Sequence, residues 1–110
     1  MKTPGLVFSL MLALLLSGCA TIAAEEGHDH KVADVNTRLG MGYYGQNRLD
    51  DALKALKKAV SAEPDYAPAQ SAIALVYDRM GMDKEAKQHY LKAIELSPKD
   101  GSEYTNYGVF

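Results

Sequence analysis

The sequence predicts an all-α protein made of stacked helix-turn-helix repeats, and three observations carry that prediction. Leu39, Gly40, Tyr43, Ala52, Leu56, Ala59 and Pro64 return as Ile73, Ala74, Tyr77, Ala86, Tyr90, Ala93 and Pro98, each pair 34 residues apart. Apolar residues follow the period of an amphipathic helix, at Val35, Leu39 and Tyr43 and again at Leu49, Leu53, Leu56 and Val60. Turn-forming residues stand at matching places, Asn47 with Gly81 and Pro64 with Pro98. A unit of two short helices cannot bury its own apolar face, so copies at a fixed interval must stack on one another.

The chain opens with one positive charge at Lys2, an almost wholly apolar run from Gly5 to Leu16, and then Leu16-Ser17-Gly18-Cys19. The run is shorter than the roughly 20 residues of a membrane-spanning helix and suits the core of an export signal, assigned to residues 1–18. Cys19 is the single cysteine, so an intramolecular disulfide is impossible even though an exported chain would permit one. Leu-Ser-Gly-Cys resembles the bacterial lipobox. That resemblance implies cleavage before Cys19 and its lipidation, and several acyl chains on one residue meet the roughly two-signal requirement for stable anchoring. Ala20 stands where an aspartate would retain such a lipoprotein at the inner membrane, which implies the outer membrane, facing the periplasm.

Residues 19–34 lack helical apolar periodicity, hold Glu25-Glu26-Gly27-His28-Asp29-His30-Lys31, and are expected to form a polar tether. Residues 35–66 form the first repeat, in which Asn47, like Gly81 after it, is expected to end the first helix in the left-handed conformation. Asp50 and Asp83 are expected at or beside the starts of the second helices, where a carboxylate can accept from free backbone N–H groups and oppose the helix dipole. Pro64-Asp65-Tyr66-Ala67-Pro68 closes that repeat and opens the next, residues 67–100, with Pro68 in the first turn of a new helix. Residues 101–110 begin a third unit, with Tyr107 and Gly108 in the places of Leu39 and Gly40. The chain reaches Phe110 before the equivalent of Tyr43, so it reads as part of a longer array. Ile73, Tyr77, Tyr90 and Ile94 are accordingly expected to be partly uncovered.

Composition narrows the function. Without residues 1–18 the chain keeps 11 of its 12 Lys and Arg against all 14 Asp and Glu, a net charge of about −3 that gives no electrostatic case for nucleic acid. No nucleophile elbow, phosphate loop or paired-cysteine motif occurs, so an enzyme, a small-molecule substrate and a cofactor are not expected. His28 and His30 are metal-ligand types and define an alternative, a metal-binding tether. Two histidines on a flexible segment fix no geometry, however, and a structural zinc site wants about four ligands, so no metal site is assigned. His89, beside Lys87 and Gln88, is expected at the surface. Lys54, Lys57, Lys58, Lys84, Lys87 and Lys92 read as a solvated face.

The interval of 34 residues, with small, aromatic and aliphatic residues at these positions, resembles the tetratricopeptide repeat. The resemblance implies a right-handed α-α superhelix whose first helices line a concave groove. Carried over by repeat register, that groove holds Met41, Tyr44, Leu75, Asp78 and Val109. Met41, Leu75 and Val109 share one repeat position and make an apolar stripe suited to a partner helix or extended peptide, unless they pack against adjoining repeats. The Lys, Asn and Arg clamp with which some members hold acidic chaperone tails is absent, because Thr37, Met41, Ser71 and Ala72 occupy comparable places.

The order of lipobox, acidic segment, Asn36-Thr37-Arg38-Leu39-Gly40-x-Gly42-Tyr43, Pro64-Asp65-Tyr66-Ala67-Pro68-Ala69 and Asn106-Tyr107-Gly108-Val109-Phe110 is more discriminating than any one motif. It resembles the N-terminal part of the type IV pilus biogenesis lipoproteins, the PilF/PilW family of secretin pilotins. The resemblance implies a membrane-anchored partner of the type IV pilus secretin subunit that promotes its localisation and multimerisation. The runner-up is another periplasmic tetratricopeptide scaffold, serving cell-wall or envelope assembly enzymes.

Overall fold

A computed structural model describes residues 27–97 together with residues 107 and 108. The export signal, Cys19 and Val109 lie outside the described residues. Helix α1 covers 27–45, α2 Leu49–Ala62, α3 Ala67–Arg79 and α4 Asp83–Leu96, and residues 107 and 108 are helical again. The hairpins α1–α2 and α3–α4 are the two repeats.

Both hairpins turn the same way. Asn47 and Gly81 adopt positive φ, 58° and 74°. The Arg48 N–H donates to the Tyr43 carbonyl at 2.9 Å and the Met82 N–H to the Tyr77 carbonyl at 2.8 Å. Bonds from Asn47 to Tyr44 and from Gly81 to Asp78 complete a Schellman closure in each repeat. The repeated tyrosine thus ends its helix with its backbone, which its side-chain type does not reveal.

Close packing explains the small residues. A Cβ added to Gly40 would stand 2.5 Å from Leu56 Cγ and 3.2 Å from the Ala52 carbonyl oxygen, so α1 meets α2 backbone to side chain. Ala52, Leu56, Ile73, Ala74, Val76, Tyr77, Ala86 and Tyr90 form one buried cluster across both repeats. In α3, Pro68 lies in the first turn, where a missing N–H costs nothing.

Three expectations are corrected. The segment before residue 35 is helical from residue 27 onward, and Ala33 within it is fully buried. His30 and Asp34 conceal the period because their polar side chains make specific contacts. His30 Nδ1 donates to Glu63 Oε2 at 2.8 Å, the Tyr66 hydroxyl donates to Asp34 Oδ1 at 3.1 Å, and the His30 ring meets Tyr66 edge-on at 5.3 Å. Secondly, Asp50 and Asp83 make no capping hydrogen bond. The cap positions are Arg48 and Met82, and the acids sit in the first turns, where they oppose the helix dipole.

The third correction concerns the ends of the stack. Ile73, Tyr77 and Tyr90 are buried, and only Ile94 is half-buried as expected. Tyr107 packs against Tyr90 with ring centroids 6.2 Å apart, so the start of the third unit covers the second. Besides Leu91 and Met82 of the second repeat, apolar residues are uncovered at the other end. Val35 is 52% exposed and Leu39 47%, whereas Ile73, the repeat equivalent of Leu39, is 2% exposed. The equivalent α3 face has the preceding helix α2 beside it, and α1 has no such neighbour among the described residues.

Candidate functional site

The groove residues on the described helices are Met41 and Tyr44 of α1 and Leu75 and Asp78 of α3. All four are half-buried, and Met41, Tyr44 and Leu75 pack against the shared core cluster. They therefore form the edge of the core rather than a free-standing stripe. Thr37, Ser71 and Ala72 lie deeper still and are buried, the Thr37 hydroxyl donating to the Ala33 carbonyl at 2.7 Å.

Tyr44 has a cover. The Arg79 guanidinium lies 3.7 Å from its ring centroid, within cation–π range, and Arg79 Nη1 donates to the Tyr44 carbonyl at 3.2 Å. Arg79 is exposed, so a partner entering beside Tyr44 meets a cation before it meets the ring. The guanidinium also ties the C-terminal end of α1 to that of α3. Below them, burial pushes the Tyr90 hydroxyl up to about 12, with the Asp78 carboxylate and then Tyr44 adding to the shift. Tyr90 is accordingly a neutral phenol at any physiological pH.

His89 is not at the surface. It stacks on Tyr77 at 5.5 Å with 19° between ring planes, half-buried between α3 and α4. Gln70 Nε2 donates to the Pro64 carbonyl at 2.8 Å, which turns Gln70 Oε1 toward His89 Nδ1 at 2.7 Å. An amide oxygen only accepts, so Nδ1 carries the proton. Burial lowers the His89 pKa below its ordinary value. This three-residue relay joins the inter-repeat turn to both helices of the second repeat. Its signal in the sequence is weak, since Gln70 lies among alanines, His89 follows Lys87 and Gln88, and the two share no repeat interval.

His28 and His30 are two positions apart on a helix and diverge around it, with His30 engaged by Glu63. Among the described residues no group of three or more His, Cys, Asp or Glu converges on a point that suits a metal ion. What these surfaces offer is apolar contact, a cation and hydrogen-bonding groups, which are means of holding another chain.

The tetratricopeptide repeat family model matches residues 43–106. The chain belongs to the tetratricopeptide repeat family. This tetratricopeptide-repeat protein is also 32% identical over 106 residues to the type IV pilus assembly protein PilF of Pseudomonas aeruginosa, which covers 91% of this chain and 42% of that protein. It is 26% identical over 102 residues to an uncharacterized protein of Haemophilus influenzae, covering 93% of this chain and 57% of that one. An Hsp70-Hsp90 organizing protein of wheat is 29% identical over 85 residues, 77% of this chain and 15% of its own length. The chain thus spans about half the length of the two bacterial relatives. It is a tetratricopeptide-repeat protein related to a type IV pilus assembly protein.

Proposed function

We propose that this protein is an outer-membrane lipoprotein, anchored through Cys19 and facing the periplasm, that binds a secretin subunit and promotes its localisation and multimerisation in type IV pilus biogenesis. The observation that carries the reading is the similarity to PilF. Because it covers 91% of the chain, it takes in both repeats and Cys19 wherever its ends fall. Protein–protein contact is the general work of a tetratricopeptide array, and the groove supplies apolar half-buried side chains for it. No catalytic role is proposed.

In this reading the lipid provides the address and residues 20–26 the reach. Met41, Tyr44, Leu75, Asp78 and Val109 meet the secretin segment, with Arg79 as a cationic gate over Tyr44. Met41→Asp with Leu75→Asp should abolish co-purification of the secretin from solubilised outer membranes. Arg79→Glu, at an exposed position, should weaken it without disturbing the fold, as judged by circular dichroism. Full secretin recovery with both variants refutes the groove assignment, and recovery of cell-wall hydrolases or synthases in place of a secretin refutes the pilotin reading.

A further inference from the structure

We propose that the outer flank of α1 lies on the membrane surface, as a docking face for anionic phospholipid. The proposal rests on the lipid-anchor reading of Cys19. The flank runs along one side of the helix, from His28 and Lys31 through Val32 and Val35 to Leu39, on the side away from buried Ala33, Thr37 and Gly40. Two shallow recesses meet on it at Asn36. One is lined by His28, Lys31, Val32, Val35 and Asn36, the other by Asn36, Leu39 and Tyr43 with Lys54 and Lys58 of α2 among its walls.

The charge on this flank is positive. Lys31, Lys54 and Lys58 have no carboxylate paired with them among the described residues. Asp51, the acid in the second recess, is held by Arg48 at 2.8 Å. The acidic side chains around α1 gather on its other side, where Asp29 shares a recess with Glu63 and Asp65, and where Asp34 accepts from Tyr66. An exposed aliphatic pair bracketed by unpaired lysines is the pattern of a helix lying in a lipid interface. The capping face of a solvated repeat stack would instead be polar.

Distance favours lipid over a protein occupant. Seven residues separate Cys19 from residue 27, a reach of at most about 29 Å, and the flank from His28 to Leu39 extends about 16 Å along the helix. The anchor therefore keeps His28 within about 30 Å and Leu39 within about 45 Å of the headgroups, which is a large effective concentration for a weak contact. The competing occupant is an amphipathic helix of another protein, placed as α2 is placed beside α3.

The test uses the chain expressed with its leader and reconstituted into vesicles after lipidation. Lipidation consumes the thiol of the one native cysteine, so Leu39→Cys, or Leu91→Cys as a control at a 46% exposed site of α4, carries an environment-sensitive fluorophore at a single place. In phosphatidylglycerol-rich vesicles the position-39 probe should be blue-shifted and quenched by spin-labelled lipid at least about twofold more than the position-91 probe. Lys54→Glu with Lys58→Glu should remove that difference. Equal quenching at the two positions, in protein that floats with the vesicles, overturns the docking and leaves the anchor standing. Protein that does not float refutes the anchor and the docking with it. Shielding of position 39 that requires an added secretin domain assigns the flank to a protein partner and overturns the proposal.

Discussion

Gly40 shows how much one hydrogen atom in place of a methyl can decide. Leu56 is fully buried and its Cγ already occupies the place a Cβ would take, so neither side can yield cheaply. Gly40→Ala should lower the unfolding free energy by about 1–3 kcal/mol through overpacking, outweighing the gain in helix propensity of roughly 1 kcal/mol. The midpoint of urea denaturation, with an unchanged slope, is the measurement. Ala74 holds the same repeat position with its methyl accommodated at 0% exposure, where register places Tyr90 in the position of Leu56. The interval of 34 residues made this small-residue position legible. The Gln70–His89–Tyr77 relay was not, because each partner depends on a contact between different helices and neither repeats.

Among the elements, the turns were more legible than the helix starts. Asn47 and Gly81 occupy equivalent positions and both have the positive φ that ends a helix. Asn47→Ala should destabilise the protein by about 1 kcal/mol, and Asn47→Gly should be neutral or mildly stabilising. Thermal melts of the two variants decide this. Asp50 and Asp83 lie in the first turns as expected, but whether they cap is not legible, since an acid one or two positions inside a helix and one at its cap look alike in a sequence. The early turns of α1 were misread for a related reason. His30 and Asp34 interrupt the apolar period while packing against the inter-repeat turn through Glu63 and Tyr66, partners 33 and 32 residues away. Of the groove, the positions were legible from repeat register, but the half-burial of Met41 and Leu75 and the Arg79 cover over Tyr44 depend on how the helices stack.

At the scale of the whole molecule, stability should follow pH through half-buried His89 and buried Tyr90, which answer to opposite limits. His89 has its pKa lowered from the ordinary 6.5 by burial, so the folded state favours the neutral ring. Its contribution is complete above 6.5 and is lost as pH falls through the folded value. Tyr90 is raised from 10.0 to about 12, so its contribution is complete below 10 and is lost as pH rises toward 12. The unfolding free energy should therefore be flat from about pH 6.5 to about pH 10 with respect to these two groups. The alkaline loss should be on the order of 2 kcal/mol. Chemical denaturation across that range checks it, and His89→Gln should flatten the acidic limb alone. The clasp between α1 and the inter-repeat turn has a mechanical consequence. A pull delivered through the N-terminal segment loads the His30–Glu63 and Tyr66–Asp34 contacts, which brace α1 against the joint between repeats, before it can peel α1 from α2. Those two contacts act as strain relief, placing the first point of yielding in polar bonds that re-form in water rather than in the core that holds the groove in shape.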